Sequence, residues 1–210
     1  MYNLFIRNLT AEFKETKYNG NYAIQVEGDT IYILFQWSRG VADWISNFNF
    51  PKKPYKRMNE KWYVHRGFLK VWRGMRDEIE CEVLNILTSS PNIKNIYCVG
   101  YSHGGALALL CTEDMEFLHG ESYVIMGVGF ASPRVVWGSI PGSVKKRFSK
   151  YYVVRNIGDI VTHLPPLFFG FRNAGTLIKI GKLFKYNPIN AHFNKSYKEE
   201  LYIEGEKENG

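Results

Sequence analysis

Residues 98–105 read Cys98-Val99-Gly100-Tyr101-Ser102-His103-Gly104-Gly105, and this stretch decides the fold. An apolar, β-favouring run (Ile96, Tyr97, Cys98, Val99) leads into Gly100-x-Ser102-x-Gly104. A smooth helical run, Ala106-Leu107-Ala108-Leu109-Leu110, follows. In that strand–turn–helix context a G-x-S-x-G sequence reads as a nucleophile elbow. The turn is sharp, and a Cβ at either flanking glycine would collide with the neighbouring strand or helix. The serine hydroxyl then stands above a helix N-terminus, where free N–H groups and the helix dipole favour developing negative charge. The plainer alternative is a glycine-rich βα turn whose serine only caps the helix.

Outward from the elbow, strands alternate with helices. On the N-terminal side, Phe68, Trp72, Met75, Ile79, Val83 and Ile86 recur at steps of four and three, which is one buried helical face. Pro91 ends that segment, and residues 95–99 form the strand into the elbow. Earlier still, Tyr22–Glu27 and Thr30–Gln36 read as strands joined by a Gly28-Asp29 hairpin turn. Residues 3–17 read as an amphipathic helix, 41–48 as a short helix or loop, and the basic, proline-containing 51–61 as irregular. On the C-terminal side the elbow helix runs to about Leu118, and the strongly apolar Tyr123–Phe130 is a central strand. Val144–Ser149 is helical, Tyr151–Arg155 and Thr176–Ile180 are strands, and 190–203 closes the chain as a helix. The alternation predicts an α/β fold with a mostly parallel sheet, in one domain over residues 1–210.

Composition is that of an ordinary globular chain: 210 residues, 45% hydrophobic and 22% charged, with no apolar run of bilayer-spanning length. Aromatic residues, at 16%, are numerous enough to line an apolar cleft or simply to fill a core. The N-terminus lacks a basic segment followed by a long apolar one, so no secretory signal is read, and a cytoplasmic or peripheral-membrane location is expected. Cys81, Cys98 and Cys111 read as buried free thiols, which suits a reducing compartment. No spacing suggests a metal site. The net charge of +7 gathers at Lys52, Lys53, Lys56 and Arg57, and at Lys145, Lys146, Arg147 and Lys150. An anionic lipid surface is one reading of these clusters and plain solvation another. No nucleic-acid motif is present, and the sequence says nothing about oligomeric state.

A serine nucleophile needs a base, and the base an orienting carboxylate. On this kind of sheet the chain order is serine, then acid, then histidine. Asp159 ends the buried strand Val153-Val154-Arg155-Asn156, at the sheet edge where catalytic groups gather. Asp114, Glu113 and Glu116 lie within the elbow helix, and Glu121 shares their problem. His65 precedes the elbow, His103 directly follows the serine, and His119 precedes Asp159. His163 is too close to Asp159 to present Nδ1 to it while reaching Ser102, so His192 is preferred. An oxyanion hole needs two donors. The backbone N–H of His103 is one, and Ser38, after the strand ending Phe35-Gln36-Trp37, is the other.

Five segments in order then resemble the class 3, fungal-type lipases of the α/β-hydrolase superfamily. Phe35-Gln36-Trp37-Ser38 with Asp43-Trp44 resembles that family's F-R-G-[ST] strand and following D/N-W. Val64-His65-Arg66-Gly67-Phe68 resembles V-H-x-G-F, and Val99 to Gly105 the G-[YH]-S-x-G-G elbow. Gly129 to Val135 resembles F-G-S-P-R-V, and Arg155 to Pro166 the N-x-x-D-x-V-x-x-L-P segment. His192, with Tyr197 after it, falls where the family's catalytic histidine lies. The resemblance covers roughly residues 20–200 and implies Ser102 as nucleophile, Asp159 as acid, His192 as base and Ser38 as oxyanion donor. It implies cofactor-free hydrolysis of lipid esters through an acyl-enzyme, with acylglycerols or the phospholipids of anionic membranes as substrates. The alternative from another class is a lipid- or protein-binding domain without turnover. Gln36-Trp37 departs from the usual Arg-Gly, and Trp37 would narrow the acyl entrance. The chain is short for the family, so reduced loops are expected, with residues 39–50 the lid candidate and Pro165 to Phe171 a cleft wall or membrane-facing rim.

Overall fold

The computed structural model describes residues 1–17, 20–37, 51–57 and 60–208. Ser38, the lid candidate at 39–50 and the segment 41–48 lie outside the described residues. Six strands form the main sheet: β1 (Tyr22–Glu27), β2 (Thr30–Phe35), β5 (Asn95–Tyr101), β6 (Val124–Phe130), β8 (Tyr151–Asn156) and β10 (Thr176–Ile180), in the order β1-β2-β5-β6-β8-β10. Every neighbouring pair is parallel except β1–β2, the hairpin turning at Gly28-Asp29. The two strands at its centre, β5 and β6, are apolar because helices cover both of their faces.

One face carries Ile31, Ile33, Phe35, Ile96 and Cys98 against α2 (Arg66–Ser89) and α3 (His103–His119). The buried residues of α2 (Phe68, Leu69, Trp72, Met75, Ile79 and Val83) make the stripe that the sequence periodicity predicts. The opposite face carries Leu34, Val99, Val128 and Val154, covered by Phe5 of α1 (Tyr2–Thr10) and by Tyr197 and Leu201 of α5 (Asn194–Glu208). A short helix, α4 (Gly142–Arg147), precedes β8. This is the α/β-hydrolase layering, and it aligns the C-terminal ends of β5 and β8 along one edge. No helix among the described residues is long and apolar enough to cross a membrane.

Four expectations are corrected. The N-terminal helix stops at Thr10, not near residue 17. Beyond it the Lys14 N–H bonds to the Tyr22 carbonyl, so pairing with the sheet replaces the helical repeat. The segment 51–61, expected to be irregular, carries strands instead: β3 (Lys52–Arg57) and β4 (Glu60–His65) pair antiparallel and continue into β7 (Val136–Trp137) and β9 (Phe171–Arg172) as a second sheet. Tyr55, Trp62 and Val64 anchor its inner face in the core. Cys81 is exposed, whereas Cys98 and Cys111 are buried. Arg147 is no free surface cation, because it is held by Glu60 and by Glu113.

Candidate active site

Ser102 sits between β5 and α3 with φ 55° and ψ −120°. That strained backbone survives because its surroundings over-determine it. The Ser102 N–H bonds to the Phe130 carbonyl of β6, and the Ser102 carbonyl accepts from Gly105. A Cβ on Gly100 would lie 2.0 Å from the Gly104 carbonyl oxygen, and one on Gly104 would lie 2.4 Å from that of Phe35. Both glycines are therefore required by close backbone approach.

The side chain emerges at the sheet edge where Asp159 and His192 meet it. Ser102 Oγ lies 2.9 Å from His192 Nε2. His192 Nδ1 lies 3.0 and 2.9 Å from the two Asp159 carboxylate oxygens. The carboxylate fixes the imidazole proton on Nδ1, which leaves Nε2 to accept from the serine hydroxyl. Asp159 is fully buried, and Ser102 and His192 retain 3% and 4% exposure. Asp159 Oδ1 also accepts from the Val161 N–H at 2.9 Å.

Two tyrosines that sequence reasoning gave no role complete the arrangement. Tyr197, on α5, donates its hydroxyl to Asp159 Oδ2 at 2.7 Å and accepts from the Asn156 N–H at 2.9 Å. Burial, and then the Asp159 charge, push its phenol well above the ordinary range, so it stays a neutral donor. Tyr101 stacks on His192 with ring centroids 5.6 Å apart, and its hydroxyl donates to the His192 carbonyl. The Asn156 side chain donates to the Ala191 carbonyl at 3.2 Å, tying β8 to the turn that carries the histidine. Tyr197 follows His192 by five residues, and the family resemblance marks its place after that histidine without giving it a role.

The other histidines are placed elsewhere. His163 Nδ1 donates to the main-chain carbonyl of Asp159 at 2.9 Å, away from its carboxylate. His65 Nδ1 accepts from the Gly67 N–H and caps α2. Burial first, then repulsion from His103 and Arg66, pushes the His65 imidazole down to about 4. Burial likewise pushes His103 down to about 4. Its backbone N–H, at the start of α3, has no backbone acceptor among the described residues. Asp114 is a structural acid that accepts from Tyr55 and, at 2.8 Å, from Trp72 Nε1. Trp37 packs edge-on to Tyr101, the ring that stacks on His192, with centroids 6.1 Å apart. Among the described residues no cluster of metal-ligating side chains occurs.

Comparison with known proteins adds the family. The chain is 34% identical over 160 residues to the lipase of Rhizomucor miehei, covering 73% of this chain and 43% of that protein. It is 31% identical over 144 residues to the secreted mono- and diacylglycerol lipase 1 of Fusarium solani, covering 69% of this chain and 42% of that protein. It thus spans less than half the length of these curated relatives. A solved triacylglycerol lipase, described as having a serine protease triad at its catalytic centre, superposes with a TM-score of 0.69 at 29% identity. That match covers 81% of this chain and 66% of the other. Lipase II of Rhizopus niveus gives a TM-score of 0.70 at 25% identity, over 80% of this chain and 64% of the other. The family model described as Lipase (class 3) matches residues 32–169, and with that match over most of its length the chain belongs to the class 3 lipase family.

Proposed function

We propose that the protein hydrolyses carboxylic esters of lipids, acylglycerols foremost, through an acyl-enzyme on Ser102. The observation that carries this reading is the continuous chain from Ser102 Oγ to His192 Nε2 (2.9 Å) and from His192 Nδ1 to the Asp159 carboxylate (2.9 Å). His192 takes the serine proton as Oγ attacks the ester carbonyl. Asp159 stabilises the imidazolium that forms and keeps its orientation. The His103 N–H, at the positive end of α3, is aimed where the carbonyl oxygen becomes negative, and Ser38 is the proposed second donor. His192 then gives its proton to the leaving alcohol, and an activated water releases the fatty acid.

The rim suits a lipid ester. Ile160 follows Asp159, and Ile189 and Phe193 flank the turn that bears His192, all with exposed side chains. The Ile160 N–H bonds to the Pro188 carbonyl, which holds the two segments side by side. Trp37 stands beside Tyr101, where it would limit the width of the acyl entrance. The test is hydrolysis of monoacylglycerols, triacylglycerols, phospholipids and p-nitrophenyl esters by the wild type and Ser102→Ala. The proposal requires acylglycerol turnover that the substitution lowers by several orders of magnitude. Equal turnover in the two proteins rejects it.

A further inference from the structure

The outer face of the second sheet is built from cations and aromatic rings. Cross-strand register sets Pro54 opposite Tyr63, Lys56 opposite Lys61, and Tyr63 opposite Trp137. Lys52 joins this face, its Nζ lying 3.1 Å from the centre of the Trp137 ring and 5.4 Å from that of Tyr63. Lys61 Nζ lies 5.5 Å from the Tyr63 ring. Like charges directly opposite on neighbouring strands are destabilising, yet Lys56 and Lys61 face each other and form no ion pair among the described residues. The nearby acids Glu60 and Glu113 are engaged with Arg147 instead. Protection of an exposed sheet edge explains lysines on β3, which is an edge strand. Lys61 lies beyond the reach of β7, which pairs only with Tyr63 and Val64, so it stands on the open face directly opposite Lys56.

An apolar ridge adjoins this face. Trp137 Nε1 donates to the Phe169 carbonyl at 2.8 Å and so fixes the turn Leu167–Phe169 beside the lysines. Leu167, Phe168 and Phe169 are 63%, 83% and 52% exposed. Lysines beside indole and phenol rings, with apolar side chains projecting next to them, match the layers of a lipid headgroup region: phosphate, interface and upper acyl chain.

We propose that this face, Lys52, Lys56, Lys61, Tyr63 and Trp137 with the Leu167–Phe169 turn, docks the protein on an anionic lipid bilayer. The ammonium groups meet lipid phosphates while Phe168 and Leu167 enter the headgroup boundary. The proposal deepens the functional reading above by naming the surface from which the ester is drawn, and it rests on that reading only for its purpose, because docking does not require hydrolysis.

The test uses the full chain with Ser102→Ala, so that no lipid is consumed, sedimented with vesicles of phosphatidylcholine or of an equal phosphatidylcholine–phosphatidylglycerol mixture. Binding should favour the anionic vesicles and weaken with salt. The triple variant K52Q/K56Q/K61Q should bind anionic vesicles about a hundredfold more weakly, roughly fivefold for each lysine. A control triple, K145Q/K146Q/K150Q, removes the same charge elsewhere and should change binding by less than about threefold. F168S/F169S should weaken binding to both vesicle types by about tenfold. With Ser102 restored, K52Q/K56Q/K61Q should hydrolyse a soluble short-chain ester like the wild type. Equal losses from the two lysine triples, equal partition onto neutral vesicles, or self-association through this face in place of vesicle binding would each overturn the proposal. A wild type that binds anionic vesicles but hydrolyses no ester would reject the functional reading and leave the docking surface standing.

Discussion

Tyr197→Phe removes one oxygen and two hydrogen bonds from the most buried part of the site. The lost donation to Asp159 Oδ2, at 2.7 Å, is a bond to a charged acceptor, and such bonds contribute about 1.5–3 kcal/mol. The Asn156 N–H, which reached the same oxygen at 2.9 Å, is left in the core without that acceptor, at about 1–3 kcal/mol. Stability should therefore fall by roughly 3–5 kcal/mol, a large share of an ordinary domain's margin but not all of it. Asp159 keeps the Val161 N–H and both contacts to His192 Nδ1, so the base stays in place. The carboxylate, with one donor fewer, is positioned less firmly against His192. We expect kcat about tenfold lower, near 1.4 kcal/mol, with KM unchanged. The assay is steady-state kinetics on a soluble ester together with urea unfolding. Lower stability with full kcat would refute the reasoning and leave the hydroxyl a purely structural group.

Three further outcomes follow from the geometry. His192→Ala should be as damaging as Ser102→Ala and the double variant no worse than either, while His163→Ala, whose ring reaches the Asp159 main-chain carbonyl and the Thr162 hydroxyl, should retain most of its turnover in the same ester assay. Gly104→Ala should lower the unfolding free energy measured in urea by about 1–3 kcal/mol or more, because its Cβ would stand 2.4 Å from the Phe35 oxygen on a strand that cannot swing aside; a neutral effect would mean that β2 yields. His65 takes up a proton near pH 6.5 when unfolded but only at about 4 when folded. Protons thus favour the unfolded chain between those values, so stability is complete above about 6.5 and falls as pH drops towards 4. The loss near pH 5 should be about 2 kcal/mol and should vanish from the urea midpoints of His65→Gln.

The elbow is legible in the sequence because local constraints meet there: an apolar strand, two glycines that tolerate no Cβ, and a helix former directly after. The meeting of Asp159 and His192 with Ser102 is legible from chain order, since few acids and histidines follow the elbow. The second sheet is not legible by the same means. Lys52–Arg57 has a strand-averse composition and carries Pro54, which is tolerated because β3 is an edge strand. Its fold comes from Tyr55, Trp62 and Val64 finding a core that only the tertiary structure supplies. The helical repeat of residues 3–17 misleads for the opposite reason: the pattern continues, but a long-range pair between Lys14 and Tyr22 wins over local propensity. The roles of Tyr197 and Tyr101 escape notice because a tyrosine on a buried face reads as core until its hydroxyl has a partner.

The most direct measurement of the central claim is the intact mass of the protein after exposure to a fluorophosphonate, which phosphonylates only an activated serine. The account predicts a single adduct on Ser102, absent in Ser102→Ala and formed far more slowly in His192→Ala. A wild type that stays unmodified, or one modified equally fast without His192, would contradict it.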